Sequence, residues 1–531
     1  MYAANRLHLI ERTTTVDTRF LMPGGATPDV RLEDYANLSD AISGIAQRRW
    51  MHPALVTETA TYNYGWLEEA ARTVASRLGR TRNFCSGARV ALLCDNSPAY
   101  LAGFYGILRA RGVVVPLPGS IERDRIATIL RSCGIRHVLT AGQLRPQLTG
   151  FLGEQSEEVV LSQTSQEAPA SRRSANRGDL AAIFPTSGSS GDPKLVMLSH
   201  GNLLSNAASI IDYLGITFTD RALAILPFHH AFGNSVMQTH LLCGATLVRA
   251  GSTLFPNSLL DAIETHRITS FSGVPEIYRM LLVCSDLGSR QLASLRTMAV
   301  AGGALTPPEA REVARRIAPA RLFVMYGQTE ATARISYLDP RELERRPGSI
   351  GRGVPGVELQ VVDPAGRPVE PGVVGELQAR GPNVMLGYWG SPGATAQVLR
   401  QGWLHTGDLA TVDHDGYVYL RGRANDLVKV AGYRVHPAEI EGLVARRLPV
   451  RNVAVVACET PLRDTRLAMF VEPAPASGQL TAGDVLAICR EELPHYKVPA
   501  IIEILARLPL TSSMKVDRPA LKRLAAERMA A

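Results

Sequence analysis

Short apolar runs alternating with amphipathic stretches of about ten residues constrain this chain more than any other feature. Residues 89–94 read as a strand, 99–110 as a helix, 113–115 as a second strand, 123–133 as a helix and 137–139 as a third strand. Strands this short and this uniformly apolar need cover on both faces, which predicts a parallel sheet with helical crossovers. The pattern returns between residues 222 and 327, with strands at 224–226, 246–248, 297–300 and 322–324. Two α/β halves of similar build are expected. Between them lies 154–177, rich in Ser, Gln and Arg, which reads as an exposed connector.

Beyond residue 337 the texture changes. Residues 348–420 are dense in Gly and Pro around strands at 358–362, 375–378 and 416–420, which predicts a small β-barrel or bent sheet. From residue 422 a compact α+β unit is readable. Residues 426–435 alternate about a Gly432 turn, and a helix then opens with Pro437 and carries Glu439 in its first turn. A strand at 452–457, a helix at 482–493 and a strand at 501–505 follow. The expected fold is α/β: a large N-terminal domain (1–423) of two α/β sheets plus the small barrel, then a C-terminal α+β domain (424–531).

Composition narrows the function classes. The 57 basic residues exceed the 49 acidic ones, giving +8 over 531 residues. That excess is too dilute for nucleic-acid binding but suits small anionic ligands. The seven cysteines form no CxxC pair and no zinc spacing, and most sit in apolar runs and read as buried free thiols in a reducing compartment. The most apolar stretch, 100–118, is broken by Arg109 and Arg111, and residues 1–20 lack a signal-peptide core. The expectation is a cytoplasmic protein with no membrane span.

The sharpest chemical signal is Phe184-Pro185-Thr186-Ser187-Gly188-Ser189-Ser190-Gly191-Asp192-Pro193-Lys194. Its glycines free backbone N–H groups, its hydroxyls add donors and Lys194 adds a point charge, so it suits phosphate oxygens. It is not a Walker A loop, because Lys194 follows Gly191 by three residues and no Ser or Thr follows Lys194. Further segments stand downstream in order: Pro227-Phe228-His229-His230-Ala231-Phe232-Gly233, Gly302-Gly303-Ala304, Tyr326-Gly327-Gln328-Thr329-Glu330, Trp403-Leu404-His405-Thr406-Gly407-Asp408, Gly422-Arg423-Ala424-Asn425-Asp426 with Lys429 and Gly432, and Leu508 to Lys515. Taken singly, Asp408 or Arg423 would read as a turn residue or surface charge, and Tyr326 or His230 as core.

In this order the segments resemble the motifs of adenylate-forming enzymes: acyl-CoA synthetases, adenylation domains and luciferases. The resemblance spans residues 40 to 520 and is closest to an AMP-forming acyl-CoA ligase. It implies that a carboxylic acid is activated by ATP and Mg²⁺ to acyl-AMP with release of pyrophosphate, then passed to CoA. It also implies a role for each motif residue. Thr186, Ser187, Gly188, Ser189, Ser190, Gly191 and Lys194 would hold phosphates, and Gly302, Gly303 and Ala304 the adenine side. Tyr326 and Gly327 would flank the nucleotide, with the Tyr326 ring facing adenine. Thr329 would donate to the α-phosphate, Glu330 would ligate Mg²⁺, and Asp408 and Arg423 would hold the ribose. His230 would border the acyl pocket, with its neighbour His229 less suited. Lys515 would hold the carboxylate against the α-phosphate. The mobile C-terminal domain would swing about Asn425 and present the hairpin with Lys429 and Gly432 to pantetheine.

Two positions depart from the family pattern. Leu195 and Met514 stand where glycines are usual, and a larger side chain at 195 needs modest repacking of a strand at 195–198. The aromatic motif contains no Asp, which favours an acid without a free α-amine: a fatty, aryl or other plain carboxylic acid. Residues 230–235, Val274, 301–304 and 325–328 are expected to line its pocket. A phosphopantetheinyl carrier protein in place of CoA is the alternative acceptor, served by an acyl-AMP ligase or a free-standing adenylation enzyme. A catalytically impaired nucleotide- or acyl-binding regulator is the remote alternative.

Overall fold

The computed structural model describes residues 31–119, 123–140, 157–160, 174–186, 193–253, 255–423, 428–430, 433–435, 437–459, 465–474, 480–510 and 516–530. Both expected α/β halves are present. The first sheet has seven strands, with a parallel centre in which Arg89–Leu93 lies between Val113–Leu117 and His137–Thr140. Val113–Leu117 is buried along its whole length, as a strand covered on both faces must be. At one edge the strands β1 (Leu180–Thr186) and β2 (Lys194–Ser199) form an antiparallel hairpin, and Gly387–Tyr388 pairs outside β2.

The second sheet has nine strands. Its parallel core runs Thr246–Arg249, Arg221–Leu223, Ser270–Gly273, Thr297–Val300 and β3 (Arg321–Tyr326). Between the two sheets pack α1 (His200–Leu214) and α2 (Ala231–Cys243), both largely buried. A Ser199–Asn202 capping box opens α1, and left-handed Gly215 and Gly244 close α1 and α2.

Three readings shift. The strand expected at 224–226 lies at Arg221–Leu223. The Asn96 amide donates to the carbonyls of Ala224 (3.3 Å) and Leu226 (2.8 Å), drawing the chain off the ladder toward the His motif. The connector at 154–177 contains a strand, Glu157–Val160, parallel to His137–Thr140. The strand expected at 416–420 begins at Val418, because Gly416, at φ +80°, closes a turn onto Asp413. It forms β5 (Val418–Arg423), pairs with β4 (Trp403–Val412), and belongs to a five-stranded antiparallel sheet around Val361, Leu377 and Ala410. That sheet stands where the sequence reading expects a small barrel or bent sheet, and among the described residues its outer strands do not pair to close it.

After residue 428 the hairpin of Val428–Val430 and Tyr433–Val435 precedes the helix Pro437–Arg447 and a three-stranded sheet. Among the described residues, the apolar clusters here draw only on residues 428–529, and the clusters before it only on 32–420. Leu195 is 5% exposed and packs with Ile183, Val113 and Val115, so the larger side chain is absorbed into the core. Met514 lies outside the described residues.

Candidate active site

Two neighbouring parallel strands of the second sheet end side by side, with Val300 paired to Val324. Ligands in open α/β sheets bind outside such carboxyl ends. From the first strand emerges Gly302-Gly303-Ala304. Gly302 takes φ +85°, and the Ala304 carbonyl is held by the Arg279 guanidinium at 2.9 Å, itself clamped by Glu309 at 2.7 Å.

From β3 emerges Tyr326 to Glu330. Gly327 is obligatory, since a Cβ there would stand 1.6 Å from the Ala333 carbonyl oxygen. The chain then folds through a 3-10 turn, Thr329–Ala331, followed by Thr332 and Ala333 at φ +66° and +147°. Two such non-glycine residues in succession are strained. Asn383 holds them: the Thr332 hydroxyl donates to its carbonyl at 2.5 Å, while its amide donates to the carbonyls of Ala331 and Arg334, both at 3.1 Å.

The other sheets supply the remaining groups. Asp408, on β4, is 8% exposed and lies opposite Arg423 of β5. Its Oδ2 accepts from the Tyr326 hydroxyl at 2.5 Å and its Oδ1 from Arg423 Nε at 3.1 Å. Burial first, and the Asp408 charge second, hold the Tyr326 phenol far above its ordinary range, so it remains a donor. On the first sheet Thr186 pairs with Lys194 across the base of the phosphate loop. Lys194 Nζ lies 5.1 Å from the centre of the Tyr388 ring, whose hydroxyl donates to Glu330 Oε1 at 2.8 Å. Tyr388 thereby brings the loop lysine and the motif carboxylate to one place.

His230 is the exposed residue just before α2. A Cβ at Gly233 would lie 2.1 Å from the Pro227 carbonyl oxygen, so only glycine permits the helix to start this tightly. His229, mainly by burial and then by the neighbouring His230, is pushed down to about 3 and stays neutral.

Ser187, Gly188, Ser189, Ser190, Gly191, Asn425, Gly432 and Lys515 lie outside the described residues, as does the Lys429 side chain. Leu510 and Val516 form an isolated bridge at the base of the lysine loop. Sequence reasoning missed Tyr388, Asn383 and Asn96. The Asn202-Pro382 and Asn96-Phe228 contacts join residues far apart in the chain, which no local pattern signals.

The donor set fits a nucleotide with its cation. Glu330 uses Oε1 for Tyr388 and keeps a second oxygen for a hard ion, and among the described residues no three His, Cys, Asp or Glu side chains converge on a metal. Such an ion would draw its other ligands from phosphate and water. A buried carboxylate, a loop lysine and a second carboxylate gathered near strand ends suit a phosphorylated nucleotide with a divalent cation.

The chain belongs to the AMP-binding enzyme family, whose profile matches residues 44–389, with the AMP-binding enzyme C-terminal domain matching 439–515. Feruloyl-CoA synthase of Amycolatopsis sp is 34% identical over 457 residues, 82% of this chain and 89% of that protein. Indoleacetate–CoA ligase of Aromatoleum aromaticum is 31% identical, over 83% and 88% of the two chains. The crystal structure of the anthranilate CoA ligase AuaEII with anthranoyl-AMP matches at TM-score 0.83 and 26% identity, over 94% of this chain and 100% of that one. The o-succinylbenzoate coenzyme A synthetase (MenE) from Bacillus subtilis, in complex with ATP and magnesium ion, matches at TM-score 0.79 and 26% identity, over 92% and 99%. This protein is accordingly an AMP-forming acid–thiol ligase of the acyl-CoA synthetase type, using ATP, Mg²⁺ and CoA. Among the described residues no helix is long and apolar enough to cross a membrane.

Proposed function

We propose that the acid is a fatty or aryl acid without a free α-amine, activated in the cytoplasm by the residues named above and passed to CoA rather than to a carrier protein. In the first step a carboxylate oxygen attacks the α-phosphorus of ATP and pyrophosphate departs. Negative charge gathers on the phosphoryl oxygens, so charge compensation matters more than proton transfer. Lys194 and residues 186–191 would hold the phosphates, Thr329 would donate to the α-phosphate, and Lys515 would bridge it to the incoming carboxylate. Mg²⁺, when held at Glu330, supplies further neutralisation. Asp408 would accept the ribose hydroxyls, with Arg423 and Tyr326 fixing its orientation, while Gly302 to Ala304 and Gly327 leave room for adenine.

In the second step the pantetheine sulfur attacks the acyl carbonyl and AMP departs. His230, Lys429 and Gly432 belong to this half, with the domain after residue 423 changing position between the two. The observation that carries the reading is the convergence of Asp408, Glu330 and Lys194 from three sheets, tied together by Tyr326 and Tyr388. The aryl option draws support from the feruloyl, indoleacetate and anthranilate ligases among its relatives.

ATP–pyrophosphate exchange across aryl and fatty acids, followed by CoA addition, tests it. Lys515→Ala should lower exchange at least ~100-fold with ATP affinity kept, and the wild type should yield a CoA thioester. Exchange without thioester would instead indicate a carrier protein, and no exchange with any acid would remove the reading.

A further inference from the structure

The pairing of β4 with the antiparallel strand Gly375–Arg380 breaks around Asp408. Gly375 and Glu376 pair with Ala410 and Leu409, whereas Gln378 and Ala379 pair with His405 and Leu404. Thr406, Gly407 and Asp408 therefore stand opposite the single residue Leu377. A bulge of this kind re-aims a side chain and takes backbone groups off the ladder, which must then find other partners. The side chain re-aimed here is Asp408, whose carboxylate meets the Tyr326 hydroxyl and Arg423.

Side chains supply the partners. The Thr406 hydroxyl donates to the Leu377 carbonyl at 2.6 Å and accepts the Asp408 N–H at 3.1 Å. Gly407, at φ +71°, forms the middle of the bulge, and its N–H donates to Glu376 Oε1 at 3.3 Å. A carboxylate that accepts a backbone N–H makes a charge-assisted bond, stronger than a neutral one. The Glu376 carboxylate is itself oriented. With its proton on Nδ1, His405 donates to Glu376 Oε2 at 2.8 Å and accepts the Gln378 amide at Nε2, 3.2 Å away. Gln378 Oε1 in turn accepts the Gln360 amide at 2.7 Å. Every donor in this relay meets an acceptor, and it ends one residue before Asp408. No Lys or Arg pairs with Glu376 among the described residues, so its charge is directed at His405 and the bulge.

We infer that Glu376 is a positioning residue for the nucleotide. By holding the Gly407 N–H it fixes the bulge from which Asp408 reaches the ribose, and His405 keeps its carboxylate turned that way. The inference rests on the ribose role proposed for Asp408 and deepens it, since Glu376 acts through Asp408 and not on the substrate.

The affinity of the full chain for ATP, 2′-deoxy-ATP and 3′-deoxy-ATP, each with Mg²⁺ and without any acid, tests it by titration calorimetry. The wild type should bind ATP at least about 10-fold more tightly than one of the two deoxynucleotides, the size expected for a hydrogen bond to a charged group. Asp408→Ala should bring that ratio to about one. Glu376→Ala should lower it to within about twofold of the Asp408→Ala value, whereas Glu376→Gln, which keeps an oxygen for the Gly407 N–H, should retain most of it. Should Glu376→Ala fail to fold, His405→Leu, which leaves the carboxylate without its orienting donor, should lower the ratio about threefold. A folded Glu376→Ala that keeps the wild-type ratio, even with a lowered melting temperature or uniformly weaker binding of all three nucleotides, overturns the inference by showing a structural role. In the absence of that variant, an unchanged ratio in His405→Leu overturns it likewise. A wild type that binds the three nucleotides alike strikes the ribose role of Asp408 itself, and the inference with it.

Discussion

His200 shows how one buried side chain couples the fold to proton concentration. It opens α1, and its Nδ1 accepts the Leu38 N–H at 3.3 Å. Burial pushes its pKa from 6.5 down to about 4, against the partial pull of the Asp179 and Asp40 carboxylates. The unfolded chain takes up a proton below pH 6.5 that the folded chain refuses until about 4, so stability falls as pH drops through that window. His200→Gln retains an acceptor for Leu38 and cannot titrate. Its unfolding free energy should therefore lose on the order of 3 kcal/mol less than the wild type between neutral pH and pH 4, measured by urea denaturation at each pH. A parallel pH dependence in both proteins would sink the assignment. At this scale the sequence was most legible where backbone conformation demanded one residue type. Gly327 and Gly233 stand against carbonyl oxygens that leave no room for a Cβ, and both were marked by their motifs. Arg334 was not marked, because a lone Arg beyond a motif reads as surface charge until the packing encloses it.

The hairpin of β1 and β2 is the element that presents the phosphate loop, and its rigidity depends on what lies beneath it. Leu195 faces Pro185 in register and joins Ile183, Val113 and Val115 below the loop. Its carbonyl also accepts the Trp389 N–H at 2.8 Å, which seats the Gly387–Tyr388 strand and therefore Tyr388. Leu195→Ala should cost about 2–4 kcal/mol of stability through the cavity it leaves, read as a lowered melting temperature. Because the ring of Tyr388 flanks Lys194, the KM for ATP should rise at the same time. A stability loss with unchanged KM would separate the strand from the loop it carries. Elements set by local pattern were legible from sequence, including the parallel strands Arg89–Leu93 and Val113–Leu117, expected at 89–94 and 113–115. Arg221–Leu223 was displaced by a distant amide, and Glu157–Val160 is a polar edge strand whose alternation is too short to stand out.

At the scale of the molecule, the described apolar clusters fall into two sets, one drawing on residues 32–420 and the other on 428–529, on either side of the boundary expected near residue 424. The described apolar clusters do not mix residues from the two sides of that point. We expect a fragment of residues 1–423 to fold on its own and to keep an ATP-induced rise in melting temperature, since Asp408, Glu330 and Lys194 all lie within it. Pyrophosphate exchange should fall at least ~100-fold, because Lys515 is lost. An insoluble fragment, or one blind to ATP, would show that the nucleotide site needs the chain beyond residue 423.

Tyr388 touches Lys194, carried by the first sheet, with its ring and Glu330, which follows a strand of the second, with its hydroxyl. A slip of one sheet against the other would part these two groups, so the seating of the two halves is read out at a single tyrosine.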